Sequence, residues 1–152
     1  MPAKPQAGEL QFIDTNILVY AYDRSAGRKH IAAVRLVEQC WEEEDGCLSI
    51  QVLQELYVTV TQRITHPLDY QTARQIVDDL AHWRIHVPEP NDILQAIDIQ
   101  QKFQLSFWDA MILQSAAYMG CAQLLSEDLG HGENYGNVQV VNPFTPPIKT
   151  GV

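Results

Sequence analysis

Four acidic residues occupy positions where they could do chemistry: Asp14, Glu55, Asp109 and Asp128. Asp14 follows the apolar Phe12 and Ile13, at what reads as a strand end. A lone carboxylate buried there is costly, so something must stabilise it. Asp128 lies just past a second apolar run, in L-L-S-E-D-L, with Glu127 as the competing acid and Ser126 offering a hydroxyl. Asp109 follows Ser106 by three residues at the start of a helical pattern. Glu55 falls on a helix, away from the side that carries Leu53, Leu56 and Val60. Each has a plain structural explanation. Asp14, Thr15 or Asn16 can cap a helix, Asp128 can serve a turn, Ser106 and Asp109 can form a capping box, and Glu55 can be solvated. Together they imply more. Three or four carboxylates within several ångströms repel too strongly to stay ionised unbalanced. Either some take up protons or a hard divalent cation binds. Mg²⁺ and Mn²⁺ favour such all-oxygen donors, whereas Zn²⁺ favours His or Cys. A cation held this way lowers the pKa of its water and polarises a phosphodiester.

The elements that must position these acids follow from periodicity. Short apolar runs at 10–15, 46–50, 84–87, 121–125 and 138–141 read as strands. Helical patterns cover 16–22, 28–44, 51–63, 70–82, 91–103 and 106–118. Gly46 is expected to take a left-handed conformation ending the second helix, Asp69 to cap the fourth, and Gly120 to end the last. The segment 126–136, with three glycines, reads as a loop. Hairpin signals are absent, and most strands are continuously apolar. The expectation is an α/β fold: a three-layer α/β/α sandwich with a central parallel sheet. In such sheets, sites form beyond the carboxyl ends of the strands, where the acids fall.

The chain has 152 residues, 46% hydrophobic and 19% charged, which fits one folded domain. We expect a flexible tail at 1–9, one domain at 10–144 and a second tail at 145–152. No apolar run could span a bilayer, and the first ten residues do not read as a signal peptide. The expected location is therefore cytoplasmic. Cys40, Cys47 and Cys121 match no zinc spacing and read as free thiols. The net charge of −9 sits awkwardly with a nucleic-acid ligand. Bound metal would offset part of it. Arg24, Arg28, Lys29 and Arg35 also concentrate four of the ten basic residues within twelve positions. That cluster is either a solvated helix face or a phosphate-contacting patch. Of the five histidines, only His82 and His86 share a metal-like spacing, and they straddle a helix end; His131 lies nearest the acids.

The motifs F-I-D-T-N at 12–16, Q-V-L-Q-E-L at 51–56, S-F-W-D-A at 106–110 and L-L-S-E-D-L at 124–129 resemble, in order and spacing, those of the PIN-domain nucleases. Within that family the likeness is greatest to the VapC-type toxins of toxin–antitoxin pairs, whose usual ending N-P-F at 142–144 resembles. The resemblance spans about residues 10–144. It implies Mg²⁺ or Mn²⁺ held by Asp14, Asp109 and Asp128 with Glu55 completing the pocket, and Thr15, Asn16 and Ser126 hydrogen-bonding around them. Asp128 rather than Glu127 fits the family's hydroxyl–any–Asp pattern. The resemblance further implies an RNA substrate, with Arg24, Arg28 and Lys29 as candidate phosphate contacts, a cognate antitoxin and a homodimer.

Three rival readings compete with this one. A haloacid-dehalogenase-like phosphatase expects D-x-D, but position 16 is Asn. A phosphorylatable receiver domain expects an early acidic pair and a late strand lysine, but residues 10–16 hold one acid and the only lysine after 102 is Lys149. A non-catalytic binding or regulatory module on the same fold would tolerate loss of the acids.

Overall fold

The computed structural model describes residues 8–145. The expected tails at 1–9 and 145–152 thus lie almost entirely outside the described residues. The elements run β1 (Gln11–Ile13), α1 (Thr15–Tyr22), a single 3-10 turn (Arg24–Ala26), α2 (Arg28–Glu43), β2 (Gly46–Ser49), α3 (Ile50–Gln62), α4 (Tyr70–Leu80), β3 (Arg84–His86), α5 (Pro90–Phe103), α6 (Phe107–Tyr118), β4 (Gln123–Leu125), β5 (Asn134–Tyr135) and β6 (Val138–Val141). The strands form one sheet in the order β3-β2-β1-β4-β6-β5. All pairings are parallel except β5 with β6.

This order fixes the layers. From β1 the chain steps outward through β2 to β3, then crosses back to place β4 on the other side of β1. Right-handed crossovers put the helices of the outward steps on one face and those of the return on the other. Accordingly α1 packs on α2 and α3, α3 packs on α4, and α5 packs on α6. The result is the three-layer sandwich. Phe12, Ile13, Leu48 and Leu124 from the central strands and Ile17, Leu18, Val52 and Leu56 from the helices are fully buried between the layers. Short strands suffice at the centre because β1, β2 and β4 are buried at every residue. The strand order reverses between β1 and β4, and in open α/β sheets a crevice opens there, beyond the strands' carboxyl ends.

Two expectations require correction. The loop after β4 is not free of strand: Asn134 and Tyr135 pair antiparallel with Gln139 and Val138. Gly136, at φ +64, and Asn137 form a two-residue turn between them. Gly-Asn is a hairpin signal, because a turn matching the strand twist needs positive φ. The second correction concerns Gly46. The left-handed residue ending α2 is Glu44, at φ 53. Gly46 instead opens β2, where a Cβ would meet the Trp83 ring at 2.6 Å.

A buried polar network fixes α6. His86 at the end of β3 places Nδ1 2.8 Å from Ser115 Oγ and Nε2 3.3 Å from Asp92 Oδ2. Asp92 also accepts from Gln114 Nε2 and from the Glu89 backbone N–H, the latter completing a capping box on α5. His82 lies apart from this, exposed at the end of α4 with Nδ1 near its carbonyls, so the two histidines do not pair. The three cysteines are buried and free.

Candidate functional site

The crevice at the carboxyl ends of β1 and β4 is built from hydrogen bonds at the strand tips. The Asp14 N–H donates to Leu125 O at 2.9 Å, continuing the ladder one residue past β1. Asp14 then turns the chain into α1 as its N-cap, and Oδ1 accepts from the Thr15 N–H at 2.7 Å. Ser126 Oγ donates to Asp14 Oδ2 at 2.8 Å and accepts from the Asp128 N–H at 3.1 Å. One fully buried hydroxyl thereby joins two of the acids.

Thr15 and Asn16 extend the frame. Thr15 Oγ1 donates to Glu55 Oε2 at 2.7 Å. Asn16 Nδ2 donates to Asp128 Oδ2 at 2.9 Å, while its Oδ1 accepts from the Glu127 N–H at 3.3 Å. Glu127 itself turns away. Its oxygens take the Tyr20 hydroxyl and the Lys29 ammonium, which tie the loop to α1 and α2. Asp128 is exposed and Glu55 half-buried, and both line a groove of about 570 Å³ between α1 and α3, with Thr15, Asn16, Thr59 and Arg63.

Asp109 enters from the other layer. Ser106 caps α6, its hydroxyl accepting from the Asp109 N–H at 3.1 Å. The half-buried Asp109 carboxyl stands at a positive helix N-terminus. Gln51 Nε2 bridges the layers, donating to Glu55 Oε1 at 2.9 Å and to Trp108 O at 3.3 Å.

The electrostatics show that the acids feel one another. Burial pushes the Asp14 carboxyl up from 3.8 to about 7; the Ser126 and Thr15 hydrogen bonds oppose this, and the charges of Asp128 and Asp109 add to it. Burial also raises Asp109, against the Ser106 hydrogen bond and with added repulsion from Asp128 and Glu55. Asp14 therefore responds to Asp128 and Asp109, and Asp109 to Asp128 and Glu55. As the side chains stand, no three acidic, His or Cys residues among those described converge tightly enough to grip an ion. The hydrogen bonds to Asn16, Thr15 and Gln51 hold Asp128 and Glu55 at their distances. The donor set nonetheless fits a hard divalent cation: every donor is a carboxylate oxygen, and the most buried one is driven toward protonation chiefly by burial, with its neighbours' charges adding to it.

The basic candidates lie elsewhere. Arg24 and Arg28 are exposed on the 3-10 turn and at the start of α2. Lys29 is bound to Glu127 and lies over the Tyr20 ring. His131 Nδ1 accepts from the Asn142 N–H at 2.9 Å, so this nitrogen carries no proton in that bond. Sequence reasoning missed Gln51, although its spacing of four from Glu55 on one helix was a usable signal. It also missed Arg63, which enters the groove through the packing of α3 on α1.

The PIN domain family model matches residues 12–135. No curated protein matches the chain. Among solved structures, a toxin-antitoxin complex from Klebsiella pneumoniae is similar at 20% identity, covering 88% of this chain and 98% of that one with a TM-score of 0.64. VapC20 of Mycobacterium tuberculosis, a sarcin-ricin loop cleaving toxin, is similar at 16% identity, covering 78% and 89%, with a TM-score of 0.58. VapBC2 from Rickettsia felis, bound to a DNA fragment from its promoter, is similar at 14% identity, covering 92% and 99%, with a TM-score of 0.62. At these identities the likeness is one of fold.

Proposed function

This chain belongs to the PIN-domain family, and from that premise we propose that it is a Mg²⁺- or Mn²⁺-dependent ribonuclease, the toxin of a toxin–antitoxin pair. One observation carries the reading. The Ser126 hydroxyl ties Asp14, at the end of β1, to the Asp128 backbone beyond β4, and Asp109 repels both Asp14 and Asp128 from the N-terminus of α6. Keeping Asp14 ionised, buried and beside these charges at the point where the strand order reverses is costly unless a cation balances it.

Asp14, Asp109 and Asp128 would hold the ion, with Glu55 completing the set. A bound divalent ion supplies a water of lowered pKa and polarises the phosphodiester. The chain's own groups orient the reaction. Thr15 N–H and Ser126 Oγ each hold one oxygen of Asp14, and each oxygen keeps a lone pair with which it could bind a cation. Gln51 and Thr15 anchor one oxygen each of Glu55, so this carboxylate can orient the attacking water and accept its proton. The N-terminus of α6 faces the charge that develops on phosphate. Attack in line leaves 5′-phosphate and 3′-hydroxyl ends.

The same reading includes a cognate antitoxin, a homodimer and a cytoplasmic setting. Exposed Ile93, Leu94, Ile97 and Trp108 on α5 and α6 offer apolar surface of the kind partners cover. No described helix is long and apolar enough to cross a membrane. Arg24 and Arg28 are exposed, on the 3-10 turn and at the start of α2, and would meet RNA only where it extends past the groove.

The test is direct. Purified protein should cut labelled RNA with Mg²⁺ or Mn²⁺, stop in EDTA, and lose activity as Asp109→Asn. Expression should arrest growth, and Asp109→Asn should relieve the arrest. Unaltered cleavage in EDTA, or arrest that persists in the variant, would end the proposal.

A further inference from the structure

We infer that the groove between α1 and α3 is the channel for the RNA backbone, and that Arg63 is the residue that holds a flanking phosphate in it. The inference rests on the reading of the acidic crevice as an RNA-hydrolysing site. It starts from a difficulty: a chain of net charge −9 must bring a polyanion to a cluster of carboxylates. Phosphate affinity comes mainly from Lys and Arg, so a cation must stand close to the acids.

The described basic residues narrow to one. Lys29 is paired with Glu127, which cancels its charge locally. Arg24, Arg28 and Arg35 lie on the 3-10 turn and α2 and do not line the groove. Arg84 opens β3, at the strand end opposite the site. Lys102 sits near the end of α5 over Phe103, beside the β5–β6 hairpin. Arg74 faces a separate, apolar cleft between α3 and α4. Arg63 alone among the described cations shares a groove with Glu55 and Asp128. It is exposed, and no described carboxylate pairs with it.

Its position defines its role. Arg63 is the C-cap of α3, eight residues beyond Glu55 on that helix. At the rise of an α-helix that is about 12 Å along the axis. A guanidinium so placed meets a phosphate beside the scissile one, not the one under attack. Asn16, Gln54 and Thr59 line the same groove and offer uncharged hydrogen-bonding groups between the two ends, while Val19 and Val58 give it apolar walls. Arg63 is thus a positioning residue, and its loss should be read in binding more than in turnover. The rival explanation is local: a basic side chain at a helix C-terminus favours the helix dipole, which predicts an effect on stability and none on RNA.

The test compares Arg63→Gln, Arg63→Lys and, as a charge-matched control, Arg35→Gln. Affinity for a labelled single-stranded RNA of mixed sequence is measured in Mg²⁺ by anisotropy, in an Asp109→Asn background that prevents cleavage, across a salt series. KM and kcat are measured without that change. Arg63→Gln should weaken binding by about five- to tenfold and flatten the log–log salt slope by about 0.7, the loss of one single-strand phosphate contact. KM should rise with kcat held within about twofold, and Arg63→Lys should recover most of the affinity because a phosphate accepts a point charge. Arg35→Gln should match the parent. Parent-like affinity and salt slope in Arg63→Gln would overturn the assignment, as would an equal loss in Arg35→Gln. Cleavage with a silent Arg63→Gln would sink this inference alone. Loss of binding in Arg63→Gln by a protein that never cleaves would support the channel and sink the ribonuclease reading.

Discussion

Replacing Asp14 by Asn should remove a pH-dependent weakness of the metal-free fold. Asp14 is 5% exposed, so solvent screens its surroundings little. Its carboxyl ionises near 3.8 in the unfolded chain and near 7 in the fold, driven up first by burial and then by Asp128 and Asp109. Between those values the folded state binds more protons than the unfolded one, so stability falls as pH rises. The full cost of ionising Asp14 is about 4 kcal/mol, and about 2–3 kcal/mol of it accrues between pH 5 and pH 8. Asn preserves the frame: its carbonyl can still accept from the Thr15 N–H, and the Ser126 hydroxyl can turn to accept from its amide. Urea denaturation in EDTA at pH 5, 6, 7 and 8 measures the effect. The wild type should lose about 2–3 kcal/mol relative to Asp14→Asn across that range, and excess Mg²⁺ should restore most of it at pH 8. Parallel pH profiles for the two proteins, or a wild type that gains on the variant as pH rises, would refute the reasoning.

Other consequences can be checked alongside. Because Asp14 must give up its proton to take a cation, the Mg²⁺ concentration for half-maximal cleavage should fall as pH rises from 6 to 8 and level off above about 7; a flat dependence in a metal titration would count against Asp14 as a ligand. Ser126→Ala removes the hydroxyl shared by Asp14 and Asp128, and should weaken Mg²⁺ affinity about 10–100-fold by calorimetry while the circular dichroism spectrum stays native. Gln51→Ala frees Glu55 Oε1 and should lower kcat without raising KM for RNA. Gly46→Ala presses a methyl into the Trp83 ring and should cost about 1–3 kcal/mol in chemical denaturation, with no change in Mg²⁺ affinity.

The legible parts of the sequence were those governed by local rules. Strand β6 and helices α4, α5 and α6 follow from periodicity, and Asp69, Ser106 and Gly120 mark ends as their types suggest. The four acids could be singled out because they sit at element boundaries and carry the order of a known family. Their arrangement could not be read, because it depends on contacts across the fold. Thr15 reaching Glu55, Asn16 reaching Asp128 and Tyr20 reaching Glu127 join residues 40, 112 and 107 positions apart. The role of Gly46 is hidden for the same reason: the ring that requires a glycine there arrives from Trp83, beyond α4. The β5–β6 hairpin differs, since its Gly136-Asn137 signal is local but sits among neighbouring glycines that make the whole segment read as loop.

The ladder between β1 and β4 joins residues 11–13 to residues 123–125. A ribosome must therefore make most of the polypeptide before the sheet's central pair can zip together, and Asp128 emerges later still. On the proposed nuclease reading, a nascent chain that ends before residue 123 has neither the β1–β4 ladder nor Asp128, and so lacks the complete acidic set. Closing so long a loop also makes maturation slow compared with helix formation.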